Sequence, residues 1–473
     1  MTTLIPKFEQ LGSTTNRSFN LKLQETISVK DFGATGDGAT DDTTTIQACA
    51  TYCKANAQIL YFPAGVYKIT TAIDAGCSIR GDGPTVSVIK NYGTGDALDL
   101  SQCNYYETFE NFGVDGSGNV ASRDGISLFR TGASTGNNVA YCHFFNVYSQ
   151  NNGRHGLMHR QAWGTRYTQC KFSYNSFLGV YLYYPAGDTG GANGVSFYQC
   201  DARWNGGSDA ATTYNDDKGG IKIAGAAAFE WHGGIIESNN AWGVNIQTQL
   251  GGNGSSACVI NNVYGELNGW DATEGGFMYL GSFVTGIQVN ESWISYGAQT
   301  GKTNYFLLNF GSATFTQQGN SLVDVLGGGT SVLYSGKSNL YYTPLISNIL
   351  GDIGAEGIAS TTTLLTSSDD GTFVISGVIN CSRTGTINQH GYYPFIAKRD
   401  GSGYRSVQIG ASGISAITTP PTISWSGNNL QVILDAYEYG TVTLNPQVGT
   451  SAPTTFTIND TVFPAMTNVM RPK

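Results

Sequence analysis

Glu237 and Glu266 stand 29 residues apart, at the same place in a repeated phrase of the chain. If successive copies of that phrase stack as parallel strands, the two side chains become neighbours roughly 4.8 Å apart across a sheet. Carboxylates that close repel when both are ionised, so one of them holds its proton. A protonated acid beside an ionised carboxylate is what hydrolysis of a glycosidic bond requires. Separations of about 5–5.5 Å go with retention and about 6.5–9.5 Å with inversion, and stacked glutamates can splay to either. Arg203 falls one copy before Glu237, where its charge would favour ionised Glu237 and leave Glu266 as the acid.

The phrase reads apolar–polar–x–Asn, followed by Gly and a short apolar strand. Its copies are Tyr148–Asn151, Phe172–Asn175, Ala202–Asn205, Ile236–Asn239, Gly265–Asn268 and Ile294–Gly297, at steps of 24, 30, 34, 29 and 29 residues. Self-similarity at this period predicts a stacked-repeat fold. Side chains alternate faces along a strand, so the aligned copies separate into columns. Tyr148, Phe172, Ala202, Ile236, Gly265 and Ile294 are expected inside, as are Asn146, Cys170, Cys200, Gly234, Val263 and Ser292. Val147, Lys171, Asp201, Ile235, Tyr264 and Trp293 are expected outside, beside Ser149, Ser173, Arg203, Glu237, Glu266 and Ser295. Phe197, Trp231, Ile260 and Val289 form a further inward column.

Two coils carry long insertions after the Asn, at 206–219 and 269–275. Insertions in repeat proteins map to loops on one face, often the binding face. They would wall a groove floored by the glutamates. Asp216 and Asp217 lie in the first loop, with Asp209, Asp271 and Glu274 in reserve across the two. Sugar rings have apolar C–H faces that suit aromatic platforms, for which Trp242, Trp270, Trp293 and Tyr264 are placed, while Trp231 belongs to the core. The predicted substrate contacts are thus Arg203, Asp201, Asp216, Asp217, Trp242, Tyr264, Trp270 and Trp293.

A second cluster is basic: Arg154, His155, His159, Arg160, Arg166 and Tyr167. Neutralising a uronate and abstracting the adjacent proton needs such groups, so it offers a lyase site, an acidic-glycan contact or a subunit contact. No Gly-x-Ser-x-Gly motif surrounds a histidine, and neither GxGxxG nor a P-loop occurs. No spacing supports a metal, and no cofactor is expected.

The bulk composition fits a turn-rich β protein: 63 glycines, many Tyr and Phe, and only 12% charged residues. A net charge of −9 with no basic run argues against nucleic acid as a partner. Nine cysteines without CxxC or His pairing point to free, buried thiols and assembly in a reducing cytoplasm. The opening Met1–Lys7 has no apolar run of the signal-peptide kind, and no stretch reaches membrane-spanning length.

Residues 1–26 are polar and unpatterned, an extended arm. Residues 27–100 hold Val29–Ala34, Gly36-Asp37-Gly38, Asp41-Asp42-Thr43, the helical stripe Ile46, Cys49, Ala50, Cys53, and Phe62-Pro63-Ala64-Gly65-Val66-Tyr67. The aspartates read as turn formers and a helix cap rather than as catalysts. This segment resembles the opening of the pectate-lyase-like superfamily as it occurs in bacteriophage tailspikes and capsule depolymerases. The resemblance implies an all-β fold: a right-handed, single-stranded parallel β-helix whose open N-terminal end is covered by a helix. It implies further that 101–345 form the central β-helix, bearing glycan-binding and catalytic residues. Beyond it, the apolar runs Phe373–Ile379 and Leu430–Ala436 suggest an antiparallel C-terminal β-sandwich over 346–473. In tailspikes such a module serves trimer clamping or carbohydrate contact.

The expected function is that of a tailspike depolymerase cleaving a bacterial capsule, exopolysaccharide or O-antigen, with hydrolysis by Glu237 and Glu266 favoured. The resemblance implies a homotrimer, made in the host cytoplasm and carried on the virion, docked to other tail proteins through its N-terminus and acting at the bacterial surface without entering the membrane. A polysaccharide lyase on the same fold and a non-catalytic glycan adhesin are the alternatives.

Overall fold

A computed structural model describes residues 26–119, 123–128, 139–160, 162–183, 192–207, 218–247, 255–269, 274–281, 284 and 286–297, with the short strands Lys7–Phe8 and Arg17–Ser18 and the strands lying between 303 and 458. The fold is a parallel β-helix. Each coil supplies three strands, as in His143–Phe145, Tyr148–Gln150 and Leu157–Arg160. Each pairs in parallel with its counterpart in the next coil, here Arg166–Thr168, Lys171–Ser173 and Leu178–Tyr183. The first two lanes belong to one long sheet and the third to another. In two coils the first and second strands run together, as Ala192–Arg203 and Ala226–Glu237.

The first coils are capped by the α-helix Thr43–Ala55. Its buried residues are Ile46, Cys49, Ala50 and Cys53, the stripe that 3.6-residue spacing predicts. Asp42 precedes the helix, and its carboxylate accepts from the backbone N–H of Thr35 at 2.7 Å and of Gly36 at 3.0 Å. Asp37 likewise accepts from Ala39 and Thr40, both at 2.8 Å. These aspartates fold turns.

Between the first two lanes the chain turns through one residue in the left-handed region: Asn146, Gln169, Gln199, Gly233 and Asn262 in successive coils. A second corner follows the second lane, at Asn151, Tyr174, Trp204, Ser238 and Leu267. This conformation costs an L residue roughly 1–2 kcal/mol, so the surrounding coil must hold it in place.

Two columns do that inside. Phe109, Phe144, Tyr167, Phe197 and Trp231 stack through the first lane, with ring centroids 4.5, 4.8, 4.4 and 4.8 Å apart. Directly after the second corner runs a buried asparagine ladder. Asn152 donates to Asn175 at 2.8 Å, Asn175 to Asn205 at 2.9 Å, Asn205 to Asn239 at 3.0 Å and Asn239 to Asn268 at 2.8 Å. The other amide hydrogen of Asn152 goes to the Ser149 hydroxyl, and those of Asn175, Asn205 and Asn239 reach a carbonyl in the preceding coil, as from Asn205 to Phe172 at 3.0 Å.

The ladder corrects the alignment of the first copy by one residue. Tyr148 pairs with Lys171, and Ser149 with Phe172. Val147 and Ser149, expected outside, are therefore buried, and Tyr148, expected inside, is on the outer face. Asn151 takes the left-handed corner and Asn152 the ladder position. The other copies keep the expected register, though Ser173 and Ser295, expected at the solvent, are buried.

The thiols of Cys49, Cys53, Cys77, Cys103, Cys142, Cys170, Cys200 and Cys258 are free and buried. Beyond the coils the strands become antiparallel in two groups. Phe373–Arg383 pairs with Gln389–Arg399 and Glu438–Val448, and Asn429–Leu434 with Ser360–Ser367 and Thr422–Ser426. Ala397 of one group and Leu430 of the other are both fully buried, as the two facing layers of a sandwich require. Among the described residues no helix is long and apolar enough to cross a membrane.

His159 lies wholly inside the coil. Its Nδ1 faces the Tyr167 hydroxyl at 2.6 Å and its Nε2 the Val139 carbonyl oxygen at 3.2 Å, so a neutral imidazole with its proton on Nε2 satisfies all three groups. Burial pulls its pKa down from 6.5 to about 4. The unfolded chain therefore binds a proton that the folded chain refuses, and stability falls as pH drops from 6.5 to about 4. That one group accounts for about 3 kcal/mol over the window. His159→Gln should flatten the fall in urea midpoint across this range relative to wild type; equal slopes would refute the buried neutral histidine. Asn205→Leu strands buried partners in both neighbouring coils and should lower unfolding stability by about 3 kcal/mol, read in the same titration.

Candidate functional site

The outer face of the second lane carries the glutamates. Glu237 and Glu266 are direct register partners, as are Arg203 and Glu237. Adjacent parallel strands lie about 4.8 Å apart, which sets the spacing of these side chains along the wall. In the neighbouring outer column, Lys171, Asp201, Ile235, Tyr264 and Trp293 follow one another.

Both carboxylates are half-buried. Burial pushes the Glu237 pKa up, and the charge of Glu266 pushes it the same way; Arg203 opposes and Asp201 adds a little. Arg203, expected to favour ionised Glu237, pulls that way but is outweighed by burial and Glu266. Arg203 is engaged by Asp201, Nη2 to Oδ2 at 2.9 Å, so much of its field is spent there. Asp201 itself is raised by burial, with Arg203 and Lys171 pulling it back. Glu266 accepts a short hydrogen bond from the Tyr264 hydroxyl.

Aromatic pairs flank the carboxylates on two sides. Tyr264 stacks on Trp293, centroids 4.7 Å apart and planes within 21°, and is 40% exposed. At the corner beyond Arg203, Tyr174 stacks on Trp204 at 4.9 Å and 11°, and the Arg203 guanidinium lies 4.8 Å from the Trp204 ring centre. Tyr174 and Trp204 are 50% and 37% exposed, an open apolar surface beside a charge. Sequence reasoning did not select this pair. Its signal was available: each residue immediately precedes a ladder asparagine, so it takes the left-handed corner and projects outward.

Trp242 does not belong to the site. It is completely buried, packed on Tyr279 with centroids 5.4 Å apart. It opens the third-lane strand Trp242–Gln247, and its register partners are Gly219 and Gly276. Trp231 is core, as expected. Trp270, Asp216 and Asp217, with Asp209 and Asp271, lie outside the described residues.

The basic cluster is dispersed. His159 and Tyr167 face the interior, and Arg154 binds Asp124. A different polar group occupies the outer first lane, where His232 Nε2 meets Glu230 at 3.2 Å, Asn261 approaches Nδ1 at 3.4 Å, and the ring stacks on Tyr198 at 5.2 Å. Among the described residues no group of His, Cys, Asp and Glu could hold a metal ion.

Residues 26–173, from the capping helix through the coil of Phe172, match the model of a family described as rhamnogalacturonase A/epimerase, pectate lyase-like. A glucan 1,3-beta-glucosidase of Cochliobolus carbonum is 41% identical over 68 residues, which take in 14% of this chain and only 9% of that protein's length. ORF18 of Geobacillus virus E2 is 17% identical, with 85% of this chain and 81% of that one covered and a TM-score of 0.44. The tailspike protein of an Acinetobacter phage is 11% identical, with 91% and 88% covered and a TM-score of 0.45. The pectate lyase-like segment ends before Glu237, so the glutamates stand on coils that the family model does not reach.

The electrostatics can be tested directly. Arg203→Met removes an opposing charge and should raise the titration midpoint of Glu237, and Glu266→Gln removes a like charge and should lower it. Carboxyl-detected NMR reads both. A Glu237 midpoint unmoved by either substitution means that the three groups do not face one another.

Proposed function

We propose that the protein is a polysaccharide depolymerase that hydrolyses a glycosidic bond between Glu237 and Glu266. The reading rests on one observation above the others: two half-buried glutamates in register on the outer wall, one held above its usual range by burial and by the other. Glu237, protonated, is the acid. It gives its proton to the glycosidic oxygen as the bond to the anomeric carbon breaks. Glu266, oriented by Tyr264, takes a proton from the attacking water or attacks the anomeric carbon first, according to the separation of the carboxyls. Tyr264, Trp293, Trp204 and Tyr174 supply apolar faces for the sugar rings on either side. The dispersal of Arg154, His159 and Tyr167 removes the group best suited to a lyase, which favours hydrolysis.

The substrate in this reading is a bacterial surface polysaccharide, and the setting is a phage tail spike. Its support is the Val29–Tyr67 segment and the pectate lyase-like start of the coil. A homotrimer attached to the virion by its N-terminal arm, with the C-terminal strands clamping the subunits, belongs to the same proposal.

The test is a panel of purified bacterial capsules, exopolysaccharides and O-chains, with polygalacturonate, alginate and laminarin. Wild type should shorten at least one polymer and release reducing ends without new ultraviolet absorbance. Glu237→Gln and Glu266→Gln should each lose 10²- to 10⁴-fold in rate with unchanged melting. Full activity in both variants removes the assignment; absorbance growing with cleavage makes the enzyme a lyase; retention of polymer without shortening makes it an adhesin.

A further inference from the structure

The outer wall that carries the glutamates holds a recess further toward the N-terminal end. It has a volume of about 160 Å³ and is lined by Pro84, Thr85, Val88, Gly113, Tyr148 and Gln150, among others. Its origin is one residue. Val88, Gly113 and Tyr148 are consecutive register partners in the outward column, so at Gly113 the wall lacks a side chain for the width of one strand. The Pro84 carbonyl overhangs that place: a Cβ on Gly113 would lie 2.1 Å from it. Tyr148 forms the upper wall. Lys171, its partner in the next coil, sets its ammonium 5.8 Å from the ring centre, which covers one face of the phenol. The rung on the opposite side is Gly113, so the other face borders the recess.

The columns connect this recess to the glutamates. Gln150, Ser173, Arg203 and Glu237 are successive partners, which places Gln150 three strand spacings from Glu237, about 14 Å along the coil axis. The intervening wall presents Lys171 and Arg203, able to donate to hydroxyls or acid groups, and Asp201, able to accept from hydroxyls. A concave site with an aromatic face and a few polar rim groups, continuous with a polymer-cleaving face, suits one more ring of that polymer.

The geometry points to a distal subsite at Gly113, in which a sugar residue of the bound chain lies against Tyr148 while a bond further along the same chain sits between Glu237 and Glu266. The polymer therefore runs parallel to the coil axis, across the strands. This rests on the glycan reading of the outer wall given above, though not on the chemistry of the carboxylates.

Affinity electrophoresis through gels cast with each polymer of the panel separates the two. In a Glu237→Gln background, Tyr148→Ala should weaken retardation roughly fivefold, the loss expected of one aromatic contact. Thr85→Trp, which fills the recess from its exposed rim, should do the same without removing a wall. In the active background both variants should raise KM for long polymer and leave cleavage of short digestion fragments unchanged. Retardation unchanged in both variants overturns the subsite even where Glu237→Gln is inactive. Weakened retardation in variants of a protein that stays active as Glu237→Gln upholds the subsite and sinks the carboxylate mechanism. A wild type that no polymer retards sinks both.

Discussion

Register between coils is the constraint from which everything else follows. A parallel sheet tolerates no slip of one residue, because every side chain would exchange faces. Here the buried asparagines fix the register. Asn175, Asn205 and Asn239 each give one hydrogen to the asparagine of the next coil and one to a carbonyl of the preceding coil, as Asn205 does with Asn239 and Phe172. A slip would leave those amides unpaired in a dry interior, at a cost far above that of a surface mismatch. The stacked rings from Phe109 to Trp231 add a second, apolar requirement in the same direction. With both satisfied, Glu237 and Glu266 stay register partners.

Much of this was legible in the chain. The Asn–Gly rhythm marks the corner, and alternation on either side of it separates inward from outward residues. That sufficed for Cys170, Cys200, Ile236 and Trp231, and for the pairing of Arg203, Glu237 and Glu266. The error in the first copy has a physical source: Asn151-Asn152 offers two candidates for one ladder position. The choice is decided by backbone torsion, since the residue before the ladder asparagine must take the left-handed corner and Asn151 does so. Trp242 was misread because periodicity says nothing about what an adjacent coil leaves empty. Its register partners in the two neighbouring coils are both glycines.

The ionisation of the glutamates shows the same division. That two stacked carboxylates cannot both ionise freely follows from spacing alone. How far Glu237 is pushed up depends on burial and on who else claims Arg203, and neither can be read from columns. Asp201, two residues away on the same strand, holds the guanidinium and so limits its influence on Glu237. A charge counted from sequence as stabilising an anion is, in the folded wall, largely balanced by its own neighbour.

The asparagine ladder also has a sense of direction. From Asn152 to Asn239 every side-chain amide hands one hydrogen forward, to the asparagine of the later coil. A coil that has just closed therefore offers an unfilled donor and a bare strand edge to the chain that follows, while the helix Thr43–Ala55 seals the opposite end. Growth has one open terminus, and it is the one that leaves a ribosome last. The molecule is laid down like courses of brick, each new row seated by the one before it.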